Sequence, residues 1–171
     1  EASGQQHGDL PLPLGERVGH LAQRGRRLLG RRRGSDHGRG DRRRQHRLHY
    51  RAMFSTVPGV PVLGEPSGVD GGTTRDNFWL TSILVDPTVA GFSAEDLRLV
   101  LAAADIEARP LWKPMHLQPV FAFKKAYVDG TSERLFRTGL SLPSGSALAD
   151  EQMDRIDVVV ARFLRELRVG V

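Results

Sequence analysis

The chain has 171 residues, a formal charge of +5 and no cysteine, which suits one ordinary domain and excludes a disulfide scaffold or a cysteine-ligated metal site. The charge is unevenly placed: residues 1–50 carry 12 Arg against 5 acids, net +7, whereas residues 51–171 carry 13 Lys and Arg against 15 acids, net −2. No stretch approaches the roughly 18 continuous apolar residues of a membrane span, and there is neither an initiating Met nor a signal-peptide pattern. The chain is read as soluble and incomplete; its lack of cysteine fits a reducing compartment, and cytoplasm is the default expectation.

Residues 1–40 hold Arg26-Arg27, Arg31-Arg32-Arg33 and recurrent Gly, and no Phe, Trp or Tyr precedes Tyr50. Gly costs near 1 kcal/mol at each helical position, so the segment is expected to be disordered. An arginine-rich nucleic-acid arm, a transit peptide and a nuclear-type basic cluster compete with that reading. An arm would gain salt-dependent affinity from phosphate contacts, yet nothing aromatic lies here to stack on bases. A transit peptide should be rich in Ser, and this stretch has only Ser3 and Ser35.

From Asp41 the texture changes. Leu48 with Ala52 and Tyr50 with Phe54 stand at i and i+4, which predicts a helix over 41–55 with a mixed face, ended by Pro58-Gly59. Val60–Leu63 reads as a short strand, 64–76 as a loop, and the doubly apolar run Phe78–Val85 as a strand covered on both sides. Ser93 with Asp96 resembles a capping box, and Leu97, Val100, Leu101 and Ala104 follow at helical spacing, predicting a helix over 94–104. Ile106–Ala108 is too short to assign, and Pro110, Pro114 and Pro119 forbid helix or ladder pairing through the next segment. A short helix over 132–137, a strand over 140–142 and the Pro143-Ser144-Gly145 turn come next. Residues 150–168 carry Met153, Ile156, Val160, Phe163, Leu164 and Leu167 on one stripe, the clearest amphipathic helix in the chain, whose apolar side needs a sheet. This order lacks the rhythm of a nucleotide-binding parallel sheet, and an α+β layer packing is expected.

Polar groups concentrate in the Pro-rich loop from Ala108 to Phe121, which carries Arg109, Trp112, Lys113, His116 and Gln118 between restrained turns. The bland alternative is a packed connector with Trp112 and Phe121 as core anchors. His116 fits a proton shuttle, a ligand contact or a hydrogen-bonded structural residue. No metal site is expected, because His7, His20, His37, His46 and His49 lie in or beside the basic segment without a ligand pattern. Gly68–Gly72 matches neither a P-loop nor a Rossmann fingerprint, and no nucleophile elbow is present.

Four stretches, His46–Phe54 (HRLHYRAMF), Asn77–Val85 (NFWLTSILV), the RPLWKPMHLQPVF loop and Leu140–Gly145 (LSLPSG), together resemble the C-terminal part of DegT-type aminotransferases. That resemblance implies a pyridoxal phosphate enzyme that aminates nucleotide-linked keto-sugars, with glutamate as the usual donor, for surface polysaccharide or glycan biosynthesis. It implies the small C-terminal domain of a fold-type I aminotransferase over 41–171, with helices on a small, mainly antiparallel sheet, acting in a homodimer. The Schiff-base lysine lies upstream in the family, so Lys113, Lys124 and Lys125 are not expected to serve; no catalytic residue is assigned, and the isolated chain is expected to be inactive without bound cofactor. Carried over from the family, Arg109 pairs a carboxylate or phosphate oxygen, His116 hydrogen-bonds the sugar or its diphosphate, and Trp112 and Gln118 shape the wall. Ala149 stands where the family commonly has a capping Thr before the last helix.

Residues 1–40 lack the family's mixture of acids and aliphatics, and their Arg, Gly, Pro and His excess is what a GC-rich gene yields out of frame. The competing class is a non-enzymatic small α+β domain with an Arg-rich nucleic-acid-binding tail. On the enzyme reading, the partners are a nucleotide-sugar and a second protomer, with no membrane and no nucleic acid.

Overall fold

A computed structural model describes residues 37–64 and 76–169. The expectations for residues 1–36 and for most of the 64–76 loop lie outside the described residues. Helix α1 (His37–Phe54) begins four residues inside the segment expected to be unstructured. Its buried face combines Tyr50, Met53 and Phe54 with two polar residues, His46 and Arg47. The helix stops before Pro58-Gly59, where Gly59 has φ +75 and a Cβ would stand 2.9 Å from Val89 Cβ. Only glycine combines that backbone with that approach.

Strand β1 (Thr81–Leu84) is shorter than the apolar run suggested. Asp76 accepts a hydrogen bond from the Phe78 N–H (2.7 Å) and Asn77 from the Trp79 N–H (3.0 Å), and Phe78 has φ 53. These Asx turns hold Phe78 and Trp79 out of the ladder. The 60–63 strand reduces to one antiparallel bridge, Val62 opposite Ile83, on the outer edge of β1. A helical turn that the sequence reading passed over, α2 (Pro87–Ala90), has an Asp86 N-cap, Pro at its start and left-handed Gly91 at its end.

Helix α3 (Ala94–Ala103) has the expected capping box. Ser93 Oγ accepts from the Asp96 N–H (3.1 Å), and Asp96 accepts from the Ser93 N–H (2.8 Å). Strand β2 (Arg109–Pro110) then corrects the expectation that the prolines exclude ladder pairing. Pro110 lies opposite Leu140 on the outermost strand of the sheet, where a missing N–H is tolerated. The remaining loop folds into two single 3-10 turns, Met115–Leu117 and Pro119–Phe121.

Helix α4 (Thr131–Thr138) runs directly into β3 (Gly139–Leu142), the middle strand of an antiparallel sheet of order β1-β3-β2. Thr81 is opposite Leu142 and Leu84 opposite Gly139. Helix α5 (Asp150–Val169) also packs against α3, with Phe163 edge-to-face on Phe92 at 5.1 Å. Met153, Ile156, Val160 and Phe163 thereby join Leu97, Leu101, Ile83 and Leu140 in one core. Gln152 reaches back to the Ala149 N–H at 2.8 Å, so half a capping box remains where Thr is absent. The layer packing is α+β, and among the described residues no helix is long and apolar enough to cross a membrane.

Candidate functional site

A cleft of about 280 Å³ opens where α1, the approach to β1, β2 and the turn after β3 meet. Its wall includes Arg43, Trp79, Glu107, Arg109, Ser141 and Ser144. The two serines are held from behind by the fold. The Tyr50 hydroxyl donates to the Pro143 carbonyl (2.8 Å), fixing the turn that bears Ser144 to α1. Ser144 Oγ accepts from the Thr81 N–H (3.0 Å), and the Ser82 and Ser141 hydroxyls share a 2.9 Å hydrogen bond between strands.

Arg47 positions the Trp79 side. Its guanidinium pairs with Asp76, donates to the Leu80 carbonyl (2.6 Å) and lies 5.0 Å from the Phe78 ring centre. The two residues flanking Trp79 are thus tied to α1, and the indole is left 57% exposed. Trp112, 72% exposed, stands beside it with ring centres 6.1 Å apart and a 37° tilt. That exposure removes Trp112 as a core anchor; Phe121 is half-buried.

Among the sequence-assigned residues, Arg109 lines the cleft and Trp112 adjoins it through Trp79. Arg109 pairs with Glu107 at 2.6 Å, but both side chains are largely exposed, and such pairs are worth about 0–1 kcal/mol. A ligand anion can therefore displace Glu107 at little cost. His116 and Gln118 do not line the cleft. His116 Nε2 hydrogen-bonds Glu133 on α4 (2.8 Å), and the Gln118 amide donates to the Lys113 carbonyl (3.1 Å), so both brace the loop itself.

Arg43, Trp79, Ser141 and Ser144 were given no role from sequence, since nothing in the spacing of α1 sets Arg43 apart from its neighbouring arginines. Beneath the cleft, His46 is buried and its Nε2 has no hydrogen-bond partner among the described residues. Burial first, then the charges of Arg42 and His49, hold its pKa down from 6.5 to about 4. The described residues contain no group of three or more His, Asp or Glu placed to hold a metal ion.

The model of the DegT/DnrJ/EryC1/StrS aminotransferase family matches residues 37–161, from α1 into α5. The chain belongs to this family. EpsN of Bacillus subtilis (strain 168), named as a pyridoxal phosphate-dependent aminotransferase, is 35% identical over 136 residues, 77% of this chain and 33% of EpsN. GDP-perosamine synthase of Vibrio cholerae is 32% identical over 110 residues, 63% of this chain and 28% of that protein. The crystal structure of the aminotransferase TlmJ from Streptoalloteichus hindustanus shares the fold, with a TM-score of 0.60 and 23% identity over 75% of this chain and 32% of that one. This DegT-family chain spans about a third of the length of the curated relatives it matches.

Pyridoxal phosphate chemistry calls for a Schiff-base lysine, an acid at the pyridine nitrogen and donors for the phosphate. The chain's three lysines, Lys113, Lys124 and Lys125, are all exposed, and none lines the cleft. Lys124 and Lys125 lie against the Phe123 and Tyr127 rings at 4.8 and 5.0 Å.

Proposed function

We propose that residues 41–171 are the small C-terminal domain of a nucleotide-sugar aminotransferase, supplying a substrate-side wall while another part of the enzyme holds pyridoxal phosphate and the Schiff-base lysine. The observation that carries this reading is the family match over 37–161, which encloses every cleft residue and all three lysines, although none of those lysines faces the cleft. The reaction is transfer of an amino group, from glutamate as donor, to a nucleotide-linked keto-sugar destined for a surface polysaccharide or glycan. The complete enzyme works as a cytoplasmic homodimer, and the chain alone is inactive.

In this reading Arg109 receives a carboxylate or phosphate oxygen, for which its planar fork is suited. Outside the cleft itself, on the braced loop, Trp112 and Gln118 shape the wall of the wider site and His116 hydrogen-bonds the sugar or its diphosphate. In a complete enzyme, Arg109→Ala and His116→Ala lower turnover or substrate affinity; unchanged values for both would remove these roles. Incubation of the purified chain with pyridoxal phosphate, borohydride reduction and peptide mass spectrometry tests the cofactor assignment. No stoichiometric label is expected on Lys113, Lys124 or Lys125, and one fully labelled lysine would overturn it. The segment before the family match, up to residue 36, is proposed to be an out-of-frame translation, and a family-like cofactor domain in another frame of the coding DNA is the expected finding; its absence from both other frames removes the idea.

A further inference from the structure

The loop between the Pro119–Phe121 turn and α4 carries the most exposed large apolar side chains of the described residues. Tyr127 is 86% exposed and Phe123 77%, ahead of Trp112, and Val120 and Val128 flank them in the open. Every residue from Ala122 to Asp129 is exposed, and none belongs to a helix or strand. The loop is nonetheless shaped. The Lys124 N–H donates to the Phe121 carbonyl (2.9 Å) at one end, and Asp129 accepts from the Thr131 N–H (2.9 Å) at the other. A tip held at both ends that buries neither of its aromatics contributes nothing to the core, and apolar exposure of this kind marks a surface that meets something else.

Its charge is as uneven as its hydrophobicity. All three lysines of the chain lie between Trp112 and Val128, a stretch with no acid, whereas the remainder of residues 51–171 has 10 Arg against 15 acids, net −5. Lys124 Nζ lies 4.8 Å from the Phe123 ring centre and Lys125 Nζ 5.0 Å from that of Tyr127, so each ring has a cation at its face.

This combination separates two kinds of partner. The core of a protein–protein interface takes up Tyr and Phe but is depleted in lysine, whose ammonium would lose its water there. The boundary of a lipid bilayer takes both. Rings enter between the headgroups, and lysine stems lie along apolar surface while their ammonium groups stay at the level of the phosphates. Anionic lipid adds about five-fold in partitioning for each basic residue beside it. We propose that residues 120–128 form a peripheral docking surface for an anionic phospholipid membrane, with Phe123 and Tyr127 at the acyl boundary and Lys124 and Lys125 on the lipid phosphates. The net negative charge of the rest of the domain is repelled by the same membrane, so the loop leads the approach. The expectation of no membrane partner rested on the lack of an apolar span; a peripheral surface needs none. The docking is independent of the reaction proposed above.

The test is sedimentation of the full chain with phosphatidylcholine vesicles, with and without phosphatidylglycerol. Binding is expected to the anionic vesicles and to be weaker by about ten-fold or more on phosphatidylcholine alone. Residues 1–50 carry net +7 and adhere to anionic lipid on their own account, so two double variants of the loop decide. Phe123→Ser with Tyr127→Ser should weaken binding about ten-fold or more, and Lys124→Ala with Lys125→Ala about twenty-fold. All four side chains are exposed, so the melting temperature should stay that of the parent, which separates lost docking from lost folding. Unchanged affinity in either variant would assign the adhesion to other residues and overturn the proposal, as would no sedimentation with anionic vesicles. A parent that ignores vesicles yet self-associates, with the association lost on Phe123→Ser and Tyr127→Ser, would make the loop a protein interface and also overturn it.

Discussion

Tyr50, fully buried near the C-terminal end of α1, donates its hydroxyl to the carbonyl of Pro143 at 2.8 Å. One bond thus couples the helix that bears Arg43 to the turn that bears Ser144, the two sides of the cleft. Burial raises the Tyr50 pKa further above its ordinary value, so the hydroxyl stays a donor throughout the working pH range. Tyr50→Phe leaves the Pro143 carbonyl without this donor at a cost of about 1–3 kcal/mol. Thermal or urea unfolding should show that loss with little change in the cooperativity of the transition. A variant as stable as the parent would show that the turn is held by other contacts.

His46 makes a pH-dependent contribution whose sign follows from its depressed pKa. The folded chain keeps the imidazole neutral down to about pH 4, whereas an unfolded histidine takes its proton near pH 6.5. Between these values the unfolded state binds more protons, so stability is fully present above about pH 6.5 and falls as pH drops towards 4. The shift from 6.5 to about 4 corresponds to a loss of about 3 kcal/mol. His46→Leu removes the titration, and its stability should fall less steeply than the parent's between pH 6.5 and 4. Parallel acid limbs for the two proteins would contradict the assignment.

Gly139 is the residue at which α4 becomes β3, and a Cβ there would meet Leu111 Cδ1 at 2.2 Å and the Leu135 carbonyl oxygen at 2.5 Å. The leucine tip can move, but the carbonyl belongs to the helix backbone. Gly139→Ala should therefore destabilise by about 1–3 kcal/mol, as overpacking does. It should also shift Leu111 and with it Trp112, seen as a change in indole emission of the folded protein. Unaltered emission and stability would mean that the α4–β3 junction relaxes freely.

The elements most legible in the sequence were those whose signals are local. The Ser93 and Asp96 cap, the Leu97 and Leu101 face and the α5 stripe all lie where their spacing put them. Periodicity could not say everything that a face packs on, so the contact of α5 with α3 was not foreseen. Phe78 and Trp79 read as strand because they are apolar, yet Asp76 and Asn77 capture their N–H groups before the ladder begins. Pro110 was taken to exclude pairing because its edge position is a property of topology. For the cleft, Arg109 and Trp112 were legible from the density of polar groups between prolines. Arg43 and Ser144 were not, because Tyr50 and Thr81 bring them together across long stretches of chain.

The most direct measurement replaces the matching segment of EpsN with residues 37–161 of this chain and assays glutamate-dependent amination of nucleotide-linked keto-sugars, with intact EpsN alongside. The predicted result is a folded, cofactor-loaded chimera that aminates such a substrate and loses that activity on Arg109→Ala. A chimera that folds and holds pyridoxal phosphate, yet aminates no nucleotide-linked keto-sugar, would contradict the proposed role.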